Sequence, residues 1–349
     1  MHDTILNHRQ ELILKALKEK GALSRSNISE IVSLGKKISK ITIIRDLDGL
    51  ISSGFVVVSG RGRATLYSLT KQNPLLEYVD LNRYFSAERE SKQEMVRFKP
   101  DIFSNLSNLY SKIEKDLWEK GATTFNTAQE RLDPSIYKRE LERFIIELSW
   151  KSSQIEGNTY TLIEAETLLK QNIKPQGHPD EEAKMILNHK DAFETILENK
   201  ASFKKIERTD IIQLHNVLTK ELVSSGLRFQ EVRITGSTYE PLSNKADIEN
   251  ALDKLILCID QVKFPPEKAL ILASMIAYIQ PFADGNKRTA RMISNAVLMA
   301  YNYPPLSYRN VDVNEYRSAL VIFYETGSLF HFKRIFMEQL KFASENYFR

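Results

Sequence analysis

From Pro134 onward, apolar residues recur at helical spacing almost without interruption, which commits most of the chain to a mainly α architecture. The departure is Arg228–Pro241, where Val232, Ile234 and Tyr239 mix with Gly236, Ser237 and Thr238 in a pattern that predicts an extended hairpin. Ala269–Ile279 is the longest apolar run and reads as a buried helix, since a bilayer span needs roughly 20 such residues. With 349 residues, two or three compact units are expected, and 42% hydrophobic with 27% charged residues is an ordinary globular balance. A single cysteine, Cys258, rules out an internal disulfide framework and a multi-cysteine metal site. The start of the chain has no basic patch followed by an apolar block, so a cytoplasmic, non-membrane location is expected.

Charge is unevenly spread. Residues 1–70 carry eleven basic against six acidic side chains, a net +5 within a chain of +4, and this points to a polyanion partner for that end. Three helical patterns occur there: around Ile5–Leu17 ending near Gly21, a second capped by Ser24 or Ser26, and a third over Ser39–Ser53 with Ile41, Ile44, Leu47, Leu50 and Ile51 at helical spacing. Phe55–Val58 and Ala64–Leu69 then flank a basic, glycine-containing tip, as in a β-hairpin. The order resembles a winged helix-turn-helix over residues 1–70. In that arrangement the third helix presents Lys40, Thr42, Ile43 and Arg45 to the major groove of duplex DNA, and Arg61 and Arg63 reach phosphate or the minor groove. Winged modules also dock proteins, and both uses stay open. Residues 71–135, broken by Pro74, Pro100 and Pro134, are expected to be a linker with one or two packing helices, with helical patterning around Ile102–Glu119.

Chemistry concentrates in Tyr278–Arg291. Pro281 ends one helix and Asp284-Gly285-Asn286 is turn chemistry before the next, whose free amides and positive dipole end suit a phosphate. Arg288 and Arg291, three apart, share a helix face, and Lys287 adds a third cation. Asp284 offers a carboxylate to Mg²⁺. These are the parts of a nucleotide-polyphosphate site without an evident base; a surface loop with arginines paired to acidic neighbours is the alternative. The six histidines, at positions 2, 8, 178, 189, 215 and 331, lie outside the loop and read as surface or core residues.

The segment Gln280-Pro281-Phe282-Ala283-Asp284-Gly285-Asn286-Lys287-Arg288-Thr289-Ala290-Arg291 resembles the signature loop of the Fic/Doc family at every fixed position except the first, where Gln280 stands in place of histidine. Ser152-Ser153-Gln154-Ile155-Glu156-Gly157 resembles the inhibitory motif that precedes the core in many relatives, and Gly226–Pro241 resembles the target-aligning flap, with Ile234, Thr235, Gly236, Ser237 and Tyr239 in it. The resemblance implies a Fic-type helical bundle over residues 136–345, with a small hairpin flap and the winged module before it. It implies ATP with Mg²⁺ and AMP transfer to a hydroxyl of a target protein. Asp284 would hold the metal, Gly285, Asn286, Lys287 and the loop amides phosphate oxygens, and Arg288 the β/γ-phosphates. Arg291 would reach the γ-phosphate or, at rest, pair with Glu156.

Gln280 weakens that implication, because a carboxamide has no useful basicity and loss of a positioned base costs on the order of 10²–10⁴-fold. Three explanations are an engineered inactivation, a natural member that binds without efficient transfer, and an enzyme with another base. A nucleotide-sensing DNA-binding regulator and an AMP-removing enzyme using Glu156 are the functional alternatives. A homodimer is compatible with the helical surfaces.

Overall fold

The computed structural model describes residues 7–33, 38–52, 54–70, 73–86 and 94–348, apart from the side chain of Arg63. The chain divides into two compact units, Met1–Asn73 and Pro74–Arg349.

In the first unit, α1 (His8–Lys20), β1 (Leu23–Ser24), α2 (Arg25–Ser33) and α3 (Lys40–Ser52) precede β2 (Val56–Ser59) and β3 (Leu66–Leu69). The strands form an antiparallel sheet in the order β1-β3-β2, with Val58 opposite Tyr67. Asn7 caps α1 in a reciprocal box with Gln10, and Gly21 ends it. The short β1 was too brief to leave a periodic signal. Helix α3 has the expected span, but its buried stripe is Ile43, Leu47 and Leu50, whereas Ile41 is 70% exposed and Ile44 37% exposed. Ile43, expected on the outer surface, is therefore core. Both stripes satisfy helical spacing and share Leu47 and Leu50, so periodicity alone does not choose between them. Buried Asp46 lies on the inner side, held by Arg9 Nε at 2.7 Å and Asn7 Nδ2 at 2.8 Å.

The second unit begins with a 3₁₀ turn over Pro74–Leu76, followed by α4 (Leu81–Tyr84), β4 (Val96–Arg97) and a second 3₁₀ turn over Pro100–Asn105. It continues with α5 (Lys112–Arg131), α6 (Pro134–Ile155), α7 (Leu162–Gln171), α8 (Asp180–Glu198) and α9 (Arg208–Leu218). Then come β5 (Tyr239–Glu240), α10 (Lys245–Gln261), α11 (Pro265–Ile279), α12 (Asn286–Ala300), α13 (Val313–Thr326) and α14 (Phe330–Asn346). Helices α11 and α12 are buried nearly all round and form the centre of the bundle. Sequence-local caps set many boundaries: Asp133 with Pro134 starts α6, Thr161 and Glu164 box the start of α7, and Gly327 at φ 82° ends α13. Among the described residues no helix is long and apolar enough to cross a membrane.

Two local expectations differ from the structure. The helix expected around Ile102–Glu119 is two elements, because the 3₁₀ turn stops at Asn105 and the Ser111–Glu114 capping box starts α5. The segment 226–241 is not a self-paired hairpin among the described residues: β5 pairs in parallel with β4, Val96 opposite Tyr239. Its first half is drawn instead to the loop after α11, where the buried Arg228 guanidinium donates to the carbonyls of Gln280, Gln230 and Leu242. Its turn, where Ser237 N donates to Ile234 O at 3.1 Å, is anchored by Glu325, which accepts from Ser237 Oγ at 2.7 Å and Thr238 N at 2.8 Å.

Candidate functional site

The α11–α12 connection is a tight loop closed on itself. Gln280 ends α11 in the left-handed region (φ 51°, ψ 59°), unusual for a residue with a side chain, and Gly285 repeats the excursion at φ 78° as α12 begins. Asn286 ties the two ends together: its Oδ1 accepts from Phe282 N at 2.9 Å, and its Nδ2 donates to Phe282 O at 2.8 Å and Gln280 Oε1 at 2.9 Å. Gln280 Nε2 donates to Ala277 O at 2.6 Å. Both ends of the Gln280 carboxamide are thus engaged inside the protein, as are the polar atoms of Asn286. Beneath the loop, His215 stacks on Phe282 (3.6 Å between centroids, 6° between planes) and its Nε2–H donates to Asp284 O at 3.0 Å.

The first backbone bond of α12 runs from Thr289 N to Gly285 O, so the preceding amides have no intrahelical acceptor. Arg288 is 2% exposed and bonds Asp284 Oδ2 through Nη2 at 2.9 Å, while its Nε and Nη1 have no protein partner. Desolvation lowers the Arg288 pKa, partly offset by Asp284 and Glu156. A buried guanidinium with unfilled donors is a seat for an anion. Arg291, one helical turn on, is 1% exposed and has partners on each nitrogen: Nη2 donates to Glu156 Oε1 at 2.8 Å and Ser152 O at 2.9 Å, Nε to Ser152 Oγ at 2.9 Å, and Nη1 to the Tyr316 hydroxyl at 3.4 Å.

Glu156 follows the last turn of α6 and takes a second cation, Lys287 Nζ, on Oε2 at 3.0 Å. Burial pushes the Glu156 pKa up, but the adjacent Arg291 and Lys287 charges outweigh it and hold the carboxyl at about 2. Arg317 donates through Nε and Nη2 to Ile155 O at 3.1 and 2.6 Å, securing the backbone just before Glu156.

A cavity of about 400 Å³ opens over this arrangement, bounded by Glu156, Gln280, Asp284–Lys287, Val232–Thr235, Arg317 and Tyr324. Of the residues expected from sequence, the fold brings together Gln280, Asp284, Gly285, Asn286, Lys287, Arg288, Arg291, Ser152 and Glu156, with Ile234 and Thr235 on the rim. Gly157 sits exposed after Glu156; Gly236 and Ser237 lie in the turn away from the cavity wall, and Tyr239 is core, its hydroxyl donating to Tyr278 O at 2.8 Å. In the first unit Lys40, Arg45 and Arg61 are exposed, Thr42 is half-buried against Ser39, and the Arg63 side chain lies outside the described residues. Sequence reasoning missed Arg228, His189, His215, Arg317 and the Lys287 contact to Glu156, since each depends on segments remote in sequence.

The residues fit a nucleotide with Mg²⁺ in two respects. Arg288 keeps two buried donors unfilled, and Asp284, whose side chain is 70% exposed, has an oxygen outside its ion pair. No group of three or more His, Cys, Asp and Glu side chains is arranged to hold a metal among the described residues.

A helical unit with a tight, internally bonded loop between two buried central helices is the class this geometry defines. A sequence model of the Fic/DOC family matches residues 205–298, and that segment, from the approach to α9 through most of α12, is a Fic/DOC domain. The protein adenylyltransferase Fic of Nematostella vectensis is 29% identical over 187 residues, 51% of this chain and 43% of that protein. The protein of the same name from Aedes aegypti is 27% identical over 192 residues, 53% of this chain and 38% of its own. The chain thus spans about two fifths of the length of these curated relatives. Among solved structures, Fic-1 from C. elegans aligns with a TM-score of 0.58 at 16% identity, covering 98% of both chains. A Fic domain containing signaling protein from Bacteroides thetaiotaomicron aligns at 0.53 and 19%, covering 66% of this chain and 96% of that one. At these identities the likeness establishes the fold, and the mainly helical Fic-type architecture expected from sequence is the one observed.

Proposed function

We propose that the second unit is a protein adenylyltransferase scaffold that binds ATP with Mg²⁺ over the α12 N-terminus, is restrained by Glu156, and is slowed in transfer by Gln280. The observation that carries the reading is the pair of buried arginines in the first turns of α12, behind the cavity-lining Asp284–Lys287 and Glu156: Arg288 has two unfilled donors, and Arg291 has an anion position taken by a side-chain carboxylate. Free helix-start amides, Arg288 and Lys287 would take the phosphates, and Asp284 would hold the metal, whose charge offsets that of the phosphates. Glu156 at Arg291 excludes a terminal phosphate from that arginine, and misplacing the polyphosphate misaligns its α-phosphorus for in-line attack.

In the transfer, a target hydroxyl oxygen attacks the α-phosphorus, pyrophosphate leaves, and the hydroxyl proton needs an acceptor. Gln280 cannot serve as that acceptor, and its carboxamide is already bonded to Ala277 O and Asn286. This favours a second reading: a nucleotide-responsive regulator whose first unit binds duplex DNA. Three helices, a three-stranded sheet and exposed Lys40, Arg45 and Arg61 support a winged helix-turn-helix reading of that unit. Removal of AMP from a modified protein by Glu156 is the less favoured role, because a carboxyl held at about 2 is a weak base while it stays paired. The homodimer and the cytoplasmic location belong to the same proposal and rest on sequence alone.

The test is label transfer from α-labelled ATP with Mg²⁺ in Glu156→Gly and in Glu156→Gly/Gln280→His. Labelled protein only with histidine is the expected result and marks a scaffold lacking its base. Label with glutamine in place would mean that another group accepts the proton. ATP binding without label in either variant supports the regulator, and absence of ATP binding removes the nucleotide reading.

A further inference from the structure

Arg291 has four hydrogen-bond partners and only one of them is the Glu156 carboxylate. The Ser152 hydroxyl and carbonyl, both at 2.9 Å, come from α6, and the Tyr316 hydroxyl, at 3.4 Å from Nη1, comes from α13. Ser152 Oγ in turn lies 2.8 Å from Nε2 of His189, a fully buried residue on α8. The protons in this chain can be placed by elimination. His189 Nδ1 is 2.7 Å from Met185 O, and a carbonyl only accepts, so Nδ1 carries the hydrogen. Nε2 of the neutral ring is then an acceptor, the Ser152 hydroxyl donates to it, and the lone pair that remains on Oγ faces Arg291 Nε–H. Burial keeps the ring neutral by pushing its pKa down to about 3, as the direction of these bonds requires.

We infer that His189 is a positioning residue: through the Ser152 hydroxyl it fixes the Arg291 guanidinium, so that the cation keeps its place when Glu156 leaves. Glu156 is then a removable plug on a rigid seat. Withdrawing it leaves a buried, anchored cation with one open Nη2 direction, a strong demand for a replacement anion. The inference rests on the nucleotide reading above, with the terminal phosphate as that anion. His189 does not line the cavity, and it reaches Arg291 through the Ser152 hydroxyl, so its loss is expected to weaken the part of the ligand that meets Arg291.

The experiment is calorimetric titration of Mg²⁺-ATP and of AMP into the full chain carrying Glu156→Gly, alone and combined with His189→Leu, His189→Gln, Ser152→Ala or His189→Leu/Ser152→Ala. Loss of the Ser152 link should weaken ATP about tenfold, the scale of one hydrogen bond to a charged group, with AMP unchanged. Retained AMP binding also reports that the variant is folded. Glutamine, whose Oε1 can accept from Ser152, should restore ATP affinity to within about threefold, and the double variant should be no worse than either single one. Equal losses for ATP and AMP, an unchanged ATP affinity, or additive effects overturn the positioning role and leave the nucleotide reading standing. Failure of the Glu156→Gly chain itself to bind ATP overturns both.

Discussion

At the scale of single residues, buried histidines and the paired Glu156 carboxylate lose stability on acidification in different pH windows. His189, His215 and His331 are buried, and burial lowers the pKa of each below the usual 6.5, His189 to about 3. Below pH 6.5 the unfolded chain binds protons that the native chain refuses, so stability is fully present above 6.5 and declines as pH falls from there towards 3. Glu156 acts in the same direction but in a lower pH window. Its contribution is fully present above its ordinary 4.5 and is lost only as pH falls through about 2. The second unit should therefore lose melting temperature between about pH 7.5 and about pH 5, and His189→Gln should flatten that loss while the Glu156–Arg291 pair stays closed. Differential scanning calorimetry at the two pH values measures the first. An ATP affinity that rises on acidification in the wild type but not in Glu156→Gly would contradict the second.

At the scale of elements, the α11–α12 loop has its shape from two left-handed residues and one asparagine. Gly285 has no room for a side chain: at φ 78° a Cβ would lie 2.7 Å from Thr219 Cγ2 on the neighbouring chain segment. Gly285→Ala combines a left-handed strain with that overlap and should cost about 1–3 kcal/mol. Because the same residue precedes the free amides of α12, ATP affinity should fall as well. Urea denaturation and titration on one preparation check both, and a variant unchanged in either would mean that the loop adjusts without consequence. The segment 226–241 illustrates how an element can be misread. Alternating residues and Gly236 suggest a hairpin, but strand pairing needs a partner, and the available one is Val96–Arg97, more than a hundred residues earlier.

At the scale of the whole molecule, the chain forms two compact units, and the basic excess lies in the first. Lys40, Arg45 and Arg61 are exposed cations on α3 and beside the β2–β3 turn. If they neutralise DNA phosphates, changing all three to alanine should weaken binding to duplex DNA and lower the slope of log affinity against log salt by about 0.9 for each phosphate no longer neutralised. Fluorescence anisotropy of the full chain over a salt series measures this. An unchanged slope, or no duplex binding at low salt, would assign the first unit to protein docking instead.

Much of the fold class and the loop from Asp284 to Arg291 were legible in the residues themselves, whereas Ser152 and Glu156 entered through the family resemblance. Helical periodicity, capping boxes, prolines and the Asp284-Gly285-Asn286 turn are local, and local sterics and hydrogen bonding act within a few residues of where they are read. The clustering of Lys287, Arg288 and Arg291 at a helix start follows from the same local rules. Tertiary packing decided what spacing left degenerate or silent: that Ile43 rather than Ile41 faces inward on α3, that Gln280 is turned into its own loop, and that Arg228 and His215 brace that loop. It also decided that Ser152 and His189 meet Arg291. The Arg228, His215, Ser152 and His189 pairings join residues separated by tens to well over a hundred positions, and only closure of the chain around one core brings their atoms within bonding distance.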